Sequence, residues 1–354
     1  MRRDGRTFLL RAKTVLNASG PWSPRVAELA GVKVRLRPGK GVHLTLDRRL
    51  SNYGVICNAV DGRQIFVYPH EQTSVIGTTD DDYYGDPDRI PITHDEVEYL
   101  LQGIESIFPT VRQARILRAW AGVRPTIYKY GPNEDALSRE HEILDHSKDG
   151  VPGFYSIVGG KLASYRIMSE EATDVLCRAL GRSEPCRTHL EPLPGGEAIP
   201  DIADLAREHR FPEWVVGRCV YRHGQLADEI LKMAHDEPWL RSTLCACEQV
   251  SYAEAVYSIR HELVHTLSDL RRRCRVGMGP CQAASCAGAA AALLARERKL
   301  SPSETRRELH DFLAARLSGQ RPVLAGAGMA EQELTRSVYR EALLPGDRTA
   351  GGGR

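Results

Sequence analysis

The chain has 354 residues, enough for about two domains at roughly 150 residues each. With 42% hydrophobic and 27% charged residues it can bury sizeable cores and is not a disordered tail. Its 48 Lys and Arg against 46 Asp and Glu leave a net charge of +2, which excludes nucleic-acid binding driven by bulk charge, so no nucleic-acid partner is expected. No stretch approaches the roughly 18 consecutive apolar residues of a membrane span. The opening Met-Arg-Arg-Asp-Gly-Arg lacks the apolar run of a secretory signal. Nine cysteines, an odd number, argue against a disulfide framework and for metal or redox use.

In chain order, Lys13 to Asn17 reads as a strand ending in the turn Ala18-Ser19-Gly20-Pro21. His43 to Asp47 alternates as a half-buried strand does, and Arg63 to Tyr68 with Ser74 to Gly77 reads as a hairpin. Thr93 and Glu96 form a capping box that opens a helix to Phe108, with Val97, Leu100, Leu101, Ile104 and Phe108 as its buried stripe. Strands are predicted over Arg115 to Trp120, His141 to His146 and Gly153 to Val158, then a helix over Tyr165 to Leu180. Residues 183 to 200, with four prolines and two adjacent glycines, read as a linker. Ile202 to Leu240 is helical in pattern. Ser251 and Glu254 form a second capping box opening a helix to about Leu263, Ala287 to Glu297 is helical, and Thr349 to Arg354 is a frayed tail.

The cysteines concentrate late. Cys245-Ala-Cys247 and Cys281-Gln-Ala-Ala-Ser-Cys286 are two close pairs that a fold can bring together as four thiolates, the donor set of zinc or an iron–sulfur cluster; bare buried thiols are the plain alternative. Gly277, Gly279 and Pro280 make a tight loop beside Cys281, leaving backbone N–H groups for cluster sulfurs. Arg271, Arg272, Arg273 and Arg275 place positive charge near an anionic centre. Cys274 falls outside a four-ligand set and reads as a packed thiol.

Gly159-Gly160-Lys161-Leu162 joins an apolar strand to a helix. Two glycines let a ligand approach the backbone, and the helix start with Lys161 suits a phosphate or the anionic pyrimidine end of a reduced flavin; an ordinary βα turn is the alternative. Arg124, just after a strand, and Arg139, shortly before one, can fork a phosphate or carboxylate, or make surface ion pairs. His43 opens a strand and can take a proton from an alcohol, or be structural. Asp80, after Ile76-Gly77-Thr78-Thr79, is either functional or a turn or cap residue. Gly326-Ala-Gly328 and Gly277-Met-Gly279 stand outside any βαβ unit and are not dinucleotide fingerprints.

Taken together, these stretches resemble one family, the A-type subunits of anaerobic glycerol-3-phosphate dehydrogenase, flavoproteins of the D-amino-acid-oxidase-like group. The resemblance runs through Val15-Leu-Asn-Ala-Ser-Gly-Pro-Trp22, Lys40-Gly-Val-His43, Ser74-Val-Ile-Gly-Thr-Thr-Asp80, Tyr84-Gly-Asp-Pro87, Ala121-Gly-Val-Arg-Pro125, Ser138-Arg139 and Val158-Gly-Gly-Lys-Leu162. It continues with Cys245-Ala-Cys-Glu248, Arg271 to Cys286 and Gln320-Arg-Pro-Val323. The C-x-C…C-x4-C spacing resembles the bacterioferritin-associated-ferredoxin-like 2Fe-2S module, which the aerobic single-chain enzymes lack.

The resemblance implies FAD, oxidation of sn-glycerol 3-phosphate to dihydroxyacetone phosphate, and electrons leaving through a 2Fe-2S cluster to a quinone. That transfer would run through a membrane-associated iron–sulfur partner subunit, beside a second flavoprotein subunit, with the protein peripheral on the inner face of the cell membrane. It places Arg124, Arg139 and Lys161 on the substrate phosphate, with His43 as the base. Gly20, Trp22, Gly159, Gly160 and Leu162 would line the flavin, and Cys245, Cys247, Cys281 and Cys286 would hold the cluster. The implied fold class is α/β (α+β). Residues 1–182 form an incomplete FAD-binding, Rossmann-like domain with a β-rich substrate layer, residues 183–240 a linker and helical connector, 241–300 the small helical 2Fe-2S domain and 301–354 a C-terminal helical segment and tail. The family's opening strand, G-x-G-x-x-G turn and helix are not among these residues, so the chain is expected to be N-terminally truncated relative to the family. Two other readings stand beside this one: a non-catalytic electron-transfer or partner-docking protein with a remnant flavin domain, and a zinc-stabilised interaction module.

Overall fold

The computed structural model describes residues 9–131 and 140–339. In chain order its strands are β1 (Val15–Asn17), β2 (Gly39–Leu46), β3 (Val55–Asn58), β4 (Gln64–His70), β5 (Thr73–Gly77), β6 (Asp81–Asp82), β7 (Ile116–Arg124), β8 (His141–Asp145), β9 (Phe154–Gly159), β10 (Thr243–Cys245) and β11 (Val250–Ser251). Its helices are α1 (Ser23–Leu29), α2 (His94–Glu105), α3 (Tyr165–Ala179), α4 (Ile202–His209), α5 (Glu213–His223), α6 (Leu226–Asp236), α7 (Tyr252–His261), α8 (Leu267–Cys274), α9 (Ala287–Arg298), α10 (Pro302–Gln320) and α11 (Ala327–Val338). The mixed α/β class expected from the sequence is the class observed. The chain divides into two compact units. The first takes residues up to Val42, Thr78–Ile92 and Ala121–Glu191; the second takes His43–Gly77, Thr93–Trp120 and the residues from Pro192 onward.

In the first unit β9 is central, parallel to β1 and antiparallel to β8. Ala27 of α1, Val32, Val34 and Leu36 pack against Phe154 and Val158 of β9 to form its core. Asn17, buried at the end of β1, donates from Nδ2 to the Ser23 carbonyl at 2.9 Å and to Ser156 Oγ at 3.3 Å. Ser156 in turn bonds His146 at 2.9 Å, and His146 pairs with Asp149 at 2.8 Å. The buried side chains of Asn17, Ser156 and His146 thus have partners, as burial demands.

In the second unit β4 and β5 form the expected hairpin, β3 extends it, and β5 pairs with β2 in the register His43 opposite Gly77. Helix α2 covers this sheet. Its Thr93–Glu96 capping box forms in both directions, and Val97, Leu100, Leu101 and Ile104 are buried. Full burial of side chains such as Leu100 and Ile104 stabilises by about 1.5–3 kcal/mol each. Phe108 lies past the helix end, which comes at Glu105. Helices α4 to α10, with Tyr339, share one core, running from Leu205 through Val256 and Leu294 to Tyr339.

The second capping box forms only by half. Ser251 Oγ accepts the Glu254 N–H at 3.2 Å, but the Glu254 carboxylate turns inward. It takes Arg222 Nε at 2.5 Å, Arg222 Nη2 at 2.7 Å and His223 Nε2 at 3.0 Å. Glu254 is fully buried, and a buried carboxylate is satisfied by a forked cation better than by a backbone N–H. Replacing Glu254 by Ala leaves Arg222 buried and unpaired, so we expect a loss of about 3–5 kcal/mol in urea unfolding. The apolar double variant Arg222→Met/Glu254→Leu should recover most of that loss, because both charges leave together.

Candidate functional site

The glycine turn of the first unit has the shape the sequence requires. Gly159 and Gly160 adopt φ of +74° and +85°, a region that side chains rarely tolerate. The Gly159 N–H donates to the Pro125 carbonyl at 3.0 Å and the Gly160 N–H to the Glu140 carbonyl at 3.0 Å. The turn is therefore stitched to the residue after Arg124. Arg139, which precedes Glu140 in sequence, lies outside the described residues. Lys161 is exposed, and the chain then passes through a short 3₁₀ turn into α3, whose N-cap Ser164 makes no side-chain cap bond. Leu162 is 90% exposed and Trp22 37% exposed, leaving apolar surface uncovered within this unit. Gly20 opens the turn Gly20–Trp22 with φ +58°.

Arg124 is the last residue of β7 rather than a residue beyond it. Its Nη1 donates to Asp80 Oδ1 at 2.8 Å, and Nη2 to Thr78 Oγ1 at 3.3 Å. Asp80, read as either functional or a turn or cap residue, is an ion-pair partner that aims a guanidinium. Room for this pair comes from two glycines of β2. A Cβ on Gly41 would lie 2.5 Å from Thr78 Oγ1 and 2.8 Å from Arg124 Nη2, and one on Gly39 would lie 3.0 Å from Asp80 Oδ1. Glycines two apart in a strand share a face, which is a sequence signal for close approach that the motif reading passed over.

His43 belongs to the second unit. Its ring stacks on Trp120, with centroids 4.2 Å apart and planes 5° from parallel. It faces Gly77 across the β2–β5 pair, and a Cβ there would run into the imidazole. The histidine plane is thus set by a tryptophan on one side and an absent side chain on the other.

The cysteine set also lies in the second unit. Cys245 ends β10, Cys247 sits in the turn to β11, and Cys281 and Cys286 lie between α8 and α9. The thiols pair crosswise, Cys245 with Cys286 and Cys247 with Cys281, rather than with their sequence neighbours. The Cys286 thiol, with the backbone N–H groups of Gly277 and Glu248, draws Cys245 down to about 6 against the opposing effect of burial. Burial pushes Cys247 up to about 11, opposed by the Cys281 backbone N–H. The partnership with Cys245, then burial, raises Cys286. In the loop, Gly277 takes φ +79° and its backbone N–H lowers Cys245, while a Cβ on Gly279 would collide with Cys247. Cys274 is fully buried, gives its S–H to the Leu270 carbonyl and is raised well above the usual thiol value by burial. Of the four neighbouring arginines, Arg275 pairs with the buried Glu248 at 2.7 Å and Arg272 with Asp269 at 3.4 Å. The loop is further tied by Tyr339, whose hydroxyl bonds the Ala283 and Ala284 carbonyls at 2.9 and 2.7 Å.

Comparison with known proteins bears on both parts of the chain. Residues 2–166 match the family model described as FAD dependent oxidoreductase, and residues 186–306 the C-terminal domain of alpha-glycerophosphate oxidase. The A-type subunit of the anaerobic glycerol-3-phosphate dehydrogenase of Escherichia coli is 38% identical over 95% of this chain and 62% of its own length. Its counterpart in Haloferax volcanii, the A1 form, is 33% identical over 93% of this chain and 56% of its own length. A solved glycerol-3-phosphate dehydrogenase from Bacillus halodurans, complexed with FAD, superposes with a TM-score of 0.71 at 26% identity, covering 89% of this chain and 64% of that one. The chain thus spans about three-fifths of the length of the relatives it matches.

Gly41→Ala should push the Arg124 fork off Asp80. Gly41→Ala and Asp80→Ala are each expected to destabilise by about 1–3 kcal/mol in urea unfolding, and together by clearly less than the sum, since both act through one guanidinium. At the cysteines, metal uptake must release protons, because Cys247 is held at about 11 and enters as a thiol. Zinc affinity, read by competition with a chromogenic chelator, should therefore rise with pH through neutrality.

Proposed function

We propose a function on one premise: the chain belongs to the glycerol-3-phosphate dehydrogenase family of FAD dependent oxidoreductases. The reaction is oxidation of sn-glycerol 3-phosphate to dihydroxyacetone phosphate. The observation that carries this reading is Arg124, aimed by Asp80 and Thr78 at the end of β7 and stitched through Pro125 to the Gly159–Gly160 turn that precedes Lys161. A dianionic phosphate requires more than one cation, and Arg124 and Lys161, with Arg139, are the residues assigned to it. His43 takes the C2 hydroxyl proton as hydride leaves C2, with Trp120 holding the ring plane. When bound, FAD supplies the hydride acceptor; Gly20, Trp22, Gly159, Gly160 and Leu162 are the residues that would hold it. Two left-handed glycines and uncovered apolar side chains fit that task.

A 2Fe-2S centre on Cys245, Cys247, Cys281 and Cys286 would supply one-electron transfer onward. A single tetrahedral zinc with Zn–S of about 2.3 Å needs all its sulfurs within about 3.8 Å of one another. Here the sulfurs stand as two pairs, and among the described residues no three cysteine sulfurs lie within 4.8 Å of one another. Two irons with two thiolates each take such a pairwise arrangement, which supports the cluster reading. Backbone N–H groups of Gly277, Glu248 and Cys281 directed at sulfur support it further. The electrons would pass to a quinone through a membrane-associated iron–sulfur partner, beside a second flavoprotein subunit, with this chain peripheral on the inner face of the membrane. Among the described residues no helix is long and apolar enough to cross a membrane.

The test begins with the visible spectrum of the chain purified without oxygen. Broad sulfur-to-iron bands are expected, lost in Cys281→Ser together with the iron; an unchanged spectrum and iron content in that variant would sink the assignment. In calorimetry, Arg124→Ala should weaken glycerol 3-phosphate binding by about tenfold or more. Unchanged affinity would remove Arg124 from the phosphate site.

A further inference from the structure

A cavity of about 240 Å³ opens in the second unit beside Pro280, between the start of β7 and helices α10 and α11. Its lining includes Arg112, Arg115, Arg316, Gln320, Gln332 and Glu331. Two of its arginines already have anions. Arg112 pairs with Glu98 and Glu105 at 3.0 Å each. Arg115 pairs with Asp47 and Glu331 and donates to the Pro280 carbonyl at 2.9 Å.

Arg316 is different. It is 6% exposed, and its Nε is buried without a hydrogen-bond partner. Among the described residues no carboxylate pairs with it. Behind it the pattern repeats: Arg118 Nε is likewise buried without a partner, and no carboxylate among the described residues pairs with Arg118 or Arg271. Burial, then the charges of Arg118, Arg316, Arg272 and Arg275, pushes Arg271 down to about 10. The thiols of Cys281 and Cys286 act on Arg316 in the opposite sense, yet burial outweighs them and its value falls. Three neighbouring guanidiniums therefore have no carboxylate partner among the described residues, an arrangement that a bound anion relieves. The cavity also presents acceptors in want of donors: the side-chain carbonyl oxygens of Gln320 and Gln332 are both buried without partners. Cations alone would suit any anion. Cations together with unpaired acceptors select an anion that carries hydroxyl groups. The volume lies below the roughly 300–1,000 Å³ of drug-sized pockets, so the ligand is small.

We propose that this cavity is a second ligand site, which binds a small phosphomonoester bearing free hydroxyls, its phosphate on the Arg316 guanidinium and its hydroxyls on Gln320 and Gln332. Arg118 and Arg271 contribute charge behind Arg316. The site uses none of the residues assigned to the substrate phosphate, so it stands or falls separately from the proposed reaction.

Calorimetric titration with glycerol 2-phosphate and, separately, inorganic phosphate tests this on the full chain carrying Arg124→Ala, which removes the proposed substrate phosphate contact. Saturable binding is expected, with glycerol 2-phosphate about fivefold or more tighter than inorganic phosphate. Adding Arg316→Gln should weaken both by about tenfold or more. Gln332→Leu, on the cavity rim, should abolish the preference while leaving inorganic phosphate unchanged, and it serves as the test if Arg316→Gln does not fold. Absence of saturable binding overturns the proposal. So does binding that survives Arg316→Gln while the sulfur-to-iron bands move, which would mean that Arg316 serves the thiols alone. A preference unchanged in Gln332→Leu overturns the assignment of the hydroxyls.

Discussion

The cysteine half of the molecule hangs on a buried ion pair, Arg222 with Glu254. Its two short bonds join α5 to α7, and the same guanidinium reaches the carbonyls of Glu248 and Gln249 at 3.2 and 3.4 Å. Those carbonyls belong to the turn immediately after Cys247, where Gln249 is held in the left-handed region at φ +53°. Glu248 then carries the tie onward, through Arg275, to the loop that holds the second pair of cysteines. Two charge pairs in series therefore fix one half of the thiol set against the other. Such pairs add little net stability, because desolvation offsets most of their attraction, but they admit few alternative geometries. A turn that must present sulfur at a set position gains from that restriction.

Around Arg124 in the first unit, charge is arranged differently. Asp80 reduces the field that Arg124 offers an incoming anion, since a paired guanidinium is partly neutralised. In exchange the fork is held in one orientation, which would lower the ordering cost of binding an anion there. Glycine at positions 39 and 41 is what lets the fork lie against the strand. The cysteine loop uses the same device at Gly279, where the missing side chain admits Cys247. In both places the strand or loop supplies space, and the neighbouring side chain is positioned by what is absent.

How much of this could be read from the chain depended on sequence distance. The Thr93–Glu96 box spans one helical turn, so its residues declare it, and both of its bonds form. The Gly159–Gly160 turn is equally local. Glu254 looked like a member of a second box, but its true partner is 32 residues away in sequence and leaves no local signal. The same holds for Asp80 and Arg124, 44 residues apart. Spacing suggests grouping the four cysteines but not that Cys245 partners Cys286 and Cys247 partners Cys281, since those partners lie more than 30 residues apart in sequence. The stacking of His43 on Trp120 was equally out of reach, while the alternate glycines of β2 were legible and went unread.

The division of the chain carries a consequence for how such a protein can change over evolutionary time. The backbone passes between the two units after Val42, Gly77, Ile92, Trp120 and Glu191. A unit assembled from three separate stretches cannot be gained or lost as a block, since a single recombination breakpoint before Pro192 would take strands from both. Beyond Glu191 the constraint lifts, and one uninterrupted segment carries the helices from α4 onward, the cysteine loops and the ion pairs that tie them. Gene fusion or exchange at the Glu191–Pro192 step would move that segment with its own helical core, but would part it from His43–Gly77 and Thr93–Trp120, the other stretches of its unit.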